Sequence, residues 1–464
     1  MTVATDMADT PAAAPAMSAR TRLLLEGPVL RTLVRLSAPN FGEAAARIAF
    51  IAFDAIFVGW IGTDALAGVS LAFPIFLLMQ TMSASGLGSG VAAAIGQALG
   101  AGRRAEAEAV AAHAVWLALI VAALFTTLML AGGPWIYGAL GAEGASLDAA
   151  LTYSGIVFGG IVAVWTMNLL ANVVRGSGVM TVPAAAIVIG EVAHLALSPT
   201  LILGLGPFPE LGVVGAGIAI LSAYVVGALV LIVYLVRGRG VIGFRRAAFR
   251  FRPAVLGAVL KVGLLASLNT IQIQATFLGL TGLFASFGAA SLAGFGAANR
   301  LELLQIPITF AVGSAVITMI ATNTGAGRHD RVRRIAWTGG ALSVAIGMVF
   351  GAVALFLPRA WMGLFGTDPV MIEAGAVYLT AMGPLLPLLG FGFAVFFALL
   401  GTGSTLFPFL AGTARLAVAV GGGWWVLEHM QGQAGDLAVT AALASLVLFA
   451  GTVLAGWRLL FGGR

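Results

Sequence analysis

The chain has 464 residues, 60% of them hydrophobic and 9% charged, with a mean hydropathy of +1.04. No soluble globular surface tolerates that composition, so the chain is polytopic in a membrane. The absence of cysteine excludes disulfides, thiol catalysis and cysteine-ligated metals, and the net charge of +6 is read as loop arginines on one membrane face, not as a nucleic-acid footprint.

Residues 1–20 are Ala, Thr, Asp and Pro without periodicity and read as a disordered tail that lacks the apolar core of a signal peptide. Twelve apolar segments follow, at 34–58, 66–90, 110–132, 151–173, 181–203, 212–236, 255–284, 292–322, 335–357, 372–399, 406–427 and 437–459. Each is long enough for a crossing of ~20 residues. Short connections rich in Gly, Pro and charge join them, among them GAGRRAEAEA, RGSGVMTVP and GAGRHDRVRR. With the N-terminus inside, twenty Arg and Lys face the cytoplasm and only Arg359 faces outside, so both termini are expected to be cytoplasmic.

Polar residues inside the spans fall on stripes. In the first span Glu43, Arg47 and Asp54 sit four and seven residues apart, on one helix face. A charge in the bilayer core costs a few kcal/mol, so that stripe needs partners or a water-filled cavity. Glu43 and Arg47 are expected to neutralise each other, which leaves Asp54 as the functional group. Pro39 removes a backbone donor and is expected to bend this span near its first turn. The fourth span carries Asn168 and Asn172, with Arg175 at its cytoplasmic end, and the fifth carries Glu191, His194 and Ser198. The seventh carries Asn269, Gln272 and Thr276. Glu191 and His194 are either a static pair or proton-binding groups, and the amides either bridge helices or touch a substrate. Arg300 and Glu302 lie on different faces, Arg415 is left to meet a carbonyl or carboxylate elsewhere, and His113 reads as a helix-end residue.

Internal repetition carries more than any single motif. Gly100-Ala-Gly-Arg103 recurs as Gly325-Ala-Gly-Arg328, Tyr153 as Tyr378, Gly176-Ser-Gly178 as Gly401-Thr-Gly403 and Pro183 as Pro408, all at an offset of 225. Upstream, Ala65-Leu-Ala-Gly68 matches Ser291-Leu-Ala-Gly294 at 226, as one inserted residue gives. The expected fold is all-α, with twelve transmembrane helices in two six-helix lobes related by a pseudo-two-fold axis along the membrane normal. The lobes are expected at 21–236 and 254–464, joined by a basic linker over 237–253. Two lobes around a cleft suit a transporter. The first lobe concentrates Asp54, Glu191 and His194, while the repeat sets Leu280 opposite Asp54 and Leu416 opposite Glu191. A poorly solvated carboxylate exchanges a proton at physiological pH, or holds a cation where other oxygens surround it.

These residues resemble the multidrug and toxic compound extrusion (MATE) family of cation-coupled antiporters. The resemblance rests on GPVLRTLVRLSAP, FDAIFVGWIGTDALAGVSLAFPIF, the paired GAGR loops, RGSG and LGPFPELGVVGAGIA. It implies that Pro39 and Asp54 are the family's bend proline and coupling aspartate, that Asn168 and Asn172 face the first-lobe cavity, and that Gln272 lies near a seventh-helix site that carries glutamate in some subfamilies. The fifth-helix segment departs from the family: His194-Leu-Ala-Leu-Ser198-Pro199 lacks the usual aspartate, and Glu191 one turn earlier stands in for it. With no seventh- or tenth-helix carboxylate, the chain is more like the proton-coupled DinF-type branch than the sodium-coupled NorM-type branch. The implied function is export of a small organic cation in exchange for protons, with sodium near Asp54 as the alternative. No cofactor, nucleic acid or resident metal is expected, and a monomer in a bacterial inner membrane suffices. A flippase for lipid-linked precursors is the competing class. A membrane enzyme is disfavoured because HExxH, GxSxG and a clustered Asp pair are all missing.

Overall fold

A computed structural model describes residues 17–238, 240–244, 250–430 and 432–462, with the side chains at 50–52, 54, 55, 58, 59, 63 and 64 outside the description. The side chain of Asp54, central to the sequence reading, is among the latter. The described residues form helices and connections with no strand. Lipid offers backbone groups no hydrogen bonds, so the apolar runs satisfy themselves as helices.

In the first half these are α1 (Ala19–Glu26), α2 (Val29–Gly59), α3 (Thr63–Thr81), α4 (Gly88–Gly100), α5 (Arg104–Ala139), α6 (Gly144–Gly159), α7 (Ile161–Gly176), α8 (Thr181–Leu203) and α9 (Gly212–Val236). The second half holds α10 (Pro253–Ala285), α11 (Ala289–Gly325), α12 (His329–Phe356), α13 (Pro358–Met362), α14 (Pro369–Met382), α15 (Leu386–Thr402), α16 (Leu406–Leu416), α17 (Gly423–Met430), α18 (Ala434–Ala455) and α19 (Trp457–Phe461). Among the described residues, ten stretches are long and apolar enough to cross a membrane, and α6 with α7 makes an eleventh, bent by 46°. The charged α2 supplies the twelfth.

Several elements overrun the expected spans. α5 covers 36 residues where hydropathy marks 110–132, and the second span continues to Gly100. Helices project past the hydrocarbon core, and hydropathy sees only the core. Ser18 caps α1 by accepting a hydrogen bond from the Thr21 amide at 3.1 Å, so the helix starts inside the stretch read as a tail. Pro39 is the eleventh residue of α2, not part of its first turn, because Val29 to Ser37 already form helix. It leaves the Arg35 carbonyl without its usual donor in mid-helix.

The duplication is geometric as well as textual. Arg103 has φ −90° and ψ 64°, and Arg328 has φ −88° and ψ 64°. Gly102 and Gly327 before them have φ 75° and 69°, and Gly178 and Gly403 have 84° and 83°. These left-handed turns require glycine. The change of offset from 226 to 225 has a location. From Thr63 to Gly100 the first half spends 38 residues, with a π-helical turn at Met82–Leu87, whereas α11 spends 37 in one regular helix. A π turn, with its i→i+5 bonds, absorbs the extra residue.

The halves meet where the two Gly-Ala-Gly-Arg turns lie. A Cβ on Gly100 would fall 1.9 Å from the Thr322 carbonyl oxygen, and one on Gly325 would fall 2.0 Å from that of Gln97. Positions 97 and 100 of one half thus contact 322 and 325 of the other, the reciprocity that a two-fold axis between α4 and α11 demands. Close to the same end, Gln97 Nε2 donates to the Gly401 carbonyl at 2.8 Å, and Asn323 Nδ2 donates to the Leu24 carbonyl at 3.1 Å.

Candidate functional site

Inside the first half, α2 packs against α8 and α11, which places its polar stripe between elements of both halves. Glu43 Oε2 accepts from Arg175 Nη2 of α7 at 2.6 Å, with both side chains buried. Glu43 Oε1 lies 3.7 Å from Arg47 Nη2. The expected Glu43–Arg47 neutralisation is therefore only half of the arrangement. Arg175, expected at the cytoplasmic end of the fourth span, is 3% exposed and closes the tighter bond. One carboxylate between two guanidiniums leaves Arg47 with unspent charge. Arg47 is also within electrostatic reach of Tyr224 on α9 and Glu191 on α8. The sequence stripes on three helices thus converge: Glu43 and Arg47 on α2, Glu191 on α8, and Arg175 on α7.

His194 and Ser198 are fully buried on the Glu191 face of α8. Asn168 and Asn172 are also buried, and each amide nitrogen donates to the π turn. Asn168 Nδ2 donates to Ser83 Oγ at 2.7 Å, and Asn172 Nδ2 donates to the Ala84 carbonyl at 3.0 Å. Each amide thus bridges α7 to the π turn through its nitrogen. The irregular turn exposes that carbonyl because its ladder is not a regular α-helix. A Cβ on Gly88 would fall 2.3 Å from Asn172 Nδ2, so glycine there admits the amide.

Asn40, one turn before Glu43, escaped the sequence reading. Its Nδ2 donates to Ser314 Oγ at 2.7 Å and to the Ala311 carbonyl at 3.2 Å on α11. Thr318, one turn further on, donates to the Arg175 backbone carbonyl at 3.0 Å. The available signal was that Asn40 extends the 43–47 stripe toward Pro39. His113 is no helix-end residue either. Buried on α5, its Nδ1 faces the Ala109 carbonyl at 2.8 Å, and its Nε2 accepts from the Arg252 amide at 2.7 Å, so it fastens the linker.

The second half has a polar site of its own. Gln272 Nε2 donates to Thr413 Oγ1 at 2.7 Å, tying α10 to α16, and Asn269 lies one turn earlier on the same face. A Cβ on Gly412 would fall 2.3 Å from Gln272 Oε1, so a larger residue there would displace the Gln272 amide. Asn269 and Gln272 line one cavity with Arg415. Arg415 also lines a second cavity, with Asn299, Glu302, Gln305 and Tyr378. Glu302 Oε1 accepts from the Tyr378 hydroxyl at 2.8 Å. Arg300 points elsewhere, over the Phe365 ring at 5.1 Å. Sequence spacing gives no hint of this cluster, because its members come from α11, α14 and α16.

Duplicated helical halves, with charged and amide groups held inside each, define a multi-pass membrane transporter rather than an enzyme. The chain belongs to the MatE family, whose match covers residues 44–200 and 266–425. A Shewanella oneidensis protein named FAD transporter is 30% identical over 78% of this chain and 81% of its own. A Thermotoga maritima protein named probable multidrug resistance protein NorM is 26% identical over 84% and 85%. In fold, the chain is similar to an outward-facing multidrug resistance transporter of the MATE family, with TM-score 0.89 and 23% identity over 97% of this chain and all of that one.

Proposed function

We infer that the chain exports organic, chiefly cationic, compounds across a bacterial inner membrane in exchange for protons, by rocking of its two halves with both termini cytoplasmic. The observation that carries the reading is the charge balance in the first half. Arg47 is shared between Glu43 and Glu191, and Glu43 is committed to Arg175. Glu191 therefore has a cationic neighbour whose pull depends on what else is charged nearby. Asp54 lies seven residues from Arg47 on the same helix, and Glu191, His194 and Ser198 supply the facing groups. A cationic substrate near ionised Asp54 and Glu191 completes the balance. Protonation from outside removes the attraction and favours release, because a ligand or proton shifts a conformational equilibrium only through its different affinity for the two states.

The close-packed Gly-Ala-Gly-Arg end supports a cytoplasmic closure. With the N-terminus inside, that end faces the cytoplasm, and access lies on the other side. Sodium is the alternative coupling ion. The test is efflux of ethidium, and of FAD as suggested by the Shewanella relative's name, from proteoliposomes under an imposed pH or sodium gradient. Native protein is compared with Asp54→Asn and Glu191→Gln. Transport driven by the pH gradient and lost in Asp54→Asn is expected. Transport driven by sodium alone, or undiminished in both variants, removes proton coupling through this site.

A further inference from the structure

We propose that the cavity beside Arg415 in the second half is a subsite for an anionic group, a carboxylate or phosphate ester, carried by a transported organic molecule. The proposal rests on the transport reading and adds a substrate class to it. An arginine stays charged at any physiological pH, and inside a membrane protein it needs partners. The other guanidiniums described inside the spans have them: Arg175 and Arg47 share Glu43, and Arg300 lies over Phe365. Arg415 makes no hydrogen bond or ion pair with any described residue, and its Nε is buried without an acceptor.

Its counter-charge is Glu302, close enough for electrostatic interaction. No ion pair within 4.0 Å joins the two among the described residues, and Glu302 takes the Tyr378 hydroxyl instead. Charge is thus balanced at a distance while the donors of the guanidinium stay idle. A planar fork of N–H groups matches the two oxygens of a carboxylate or phosphate, which is the chemistry missing from this cavity. The nearby Gln272 oxygen is no substitute, since it too is buried without a donor. Thr309 Oγ1, on the wall of the Glu302 cavity, is likewise unpartnered and can donate to an anion. With about 90 Å³ of space, that cavity takes a functional group and not a whole ligand, whose pockets run to ~300 Å³ or more.

The repeat sharpens the point. At an offset of 225, Glu191 on α8 corresponds to Leu416 on α16, and Arg415 beside it supplies a charge of opposite sign on the equivalent helix. A π-helical turn at Ala417–Gly422 follows at once, an irregularity common at functional sites. The second half therefore offers an unbonded guanidinium where the first offers carboxylates already held by arginines, which suits the anionic group of an organic molecule.

The experiment is fluorescence anisotropy titration of the purified full chain with carboxyfluorescein as the anion and ethidium as the cation. Arg415→Gln is expected to weaken carboxyfluorescein binding roughly tenfold or more, and Arg415→Lys less. Glu302→Gln is expected to strengthen it by removing a repulsion. Ethidium binding should hold throughout. Because a lone buried Glu302 can unfold the single variant, Glu302→Gln/Arg415→Gln, which removes both charges, is measured beside it. Native-like anion binding in that double variant overturns the proposal. So does an absence of anion binding by the native chain, or a loss of both probes together. Ethidium efflux, read separately in vesicles, tests the transport reading and leaves the anion result standing on its own.

Discussion

Glu43 is buried between two arginines, and the shorter of its bonds reaches Arg175 at 2.6 Å, 132 residues away in the chain. Removing one partner from a buried pair leaves an uncompensated charge, which costs about 3–5 kcal/mol, whereas removing both is often nearly neutral. Arg175→Met leaves Glu43 only its looser contact with Arg47 at 3.7 Å and is expected to lower thermal stability in detergent by part of that amount, and Glu43→Gln/Arg175→Met, with Arg47 still near Glu191, to recover some of the loss. If the single and double variants melt alike, the pair does not carry the stability assigned to it. At this scale the sequence was informative about which residues are polar and silent about their partners. Asp54, Glu191 and His194 stand out because lipid makes any charge conspicuous. The Glu43–Arg175 and Glu302–Tyr378 bonds depend on which helices become neighbours, and no periodicity within one helix encodes that. Arg175 was further hidden by its place at a span end, where a loop cation and a buried one look the same.

The π turn at Met82–Leu87 shows what one residue does to an element. The repeat offset announced an insertion between positions 65 and 100, and the structure puts it where Ser83 Oγ and the Ala84 carbonyl meet Asn168 and Asn172. Each residue turns an α-helix by about 100°, so deleting one restores a regular helix like α11 and rotates those acceptors away. Deletion of Ala84 is expected to leave a folded protein in which efflux is lost, since the flanking helices keep their register with the repeat. Full transport by the deletion variant would mean that the turn is only a packing accident. The twelve spans themselves were legible because a helix must fill the hydrocarbon thickness. Their overruns, and the position of Pro39 eleven residues into α2, were not, since helix beyond the apolar core leaves no hydropathy signal.

At the scale of the whole chain, the contact that decides the state of the molecule is the meeting of the halves at their Gly-Ala-Gly-Arg end. Backbone touches backbone there at Gly100 and Gly325, where even a methyl group has no room. α1 tightens the closure from the side: its Leu24 and Leu25 are buried, and its last carbonyls accept from Asn323, Arg328 and Arg331 of the other half. Asn40 and Thr318 add hydrogen bonds from α2 to α11 and from α11 to α7. In the proposed rocking cycle all of these would break together, which would make the seal neither dispensable nor permanent. Gly100→Val is expected to pry the end apart and to slow transport by depleting this closed state. The converse test uses the fact that the chain has no cysteine of its own. Asn40→Cys with Ser314→Cys places the only two thiols where a 2.7 Å hydrogen bond now joins α2 to α11. Bridging them with a short bifunctional thiol reagent should arrest efflux, and a reducible bridge should restore it on reduction. Each single-cysteine variant should transport with or without reagent. Unimpaired transport by the fully bridged protein would show that this end stays shut throughout the cycle, and the opening needed to load substrate would then have to be sought between other helices.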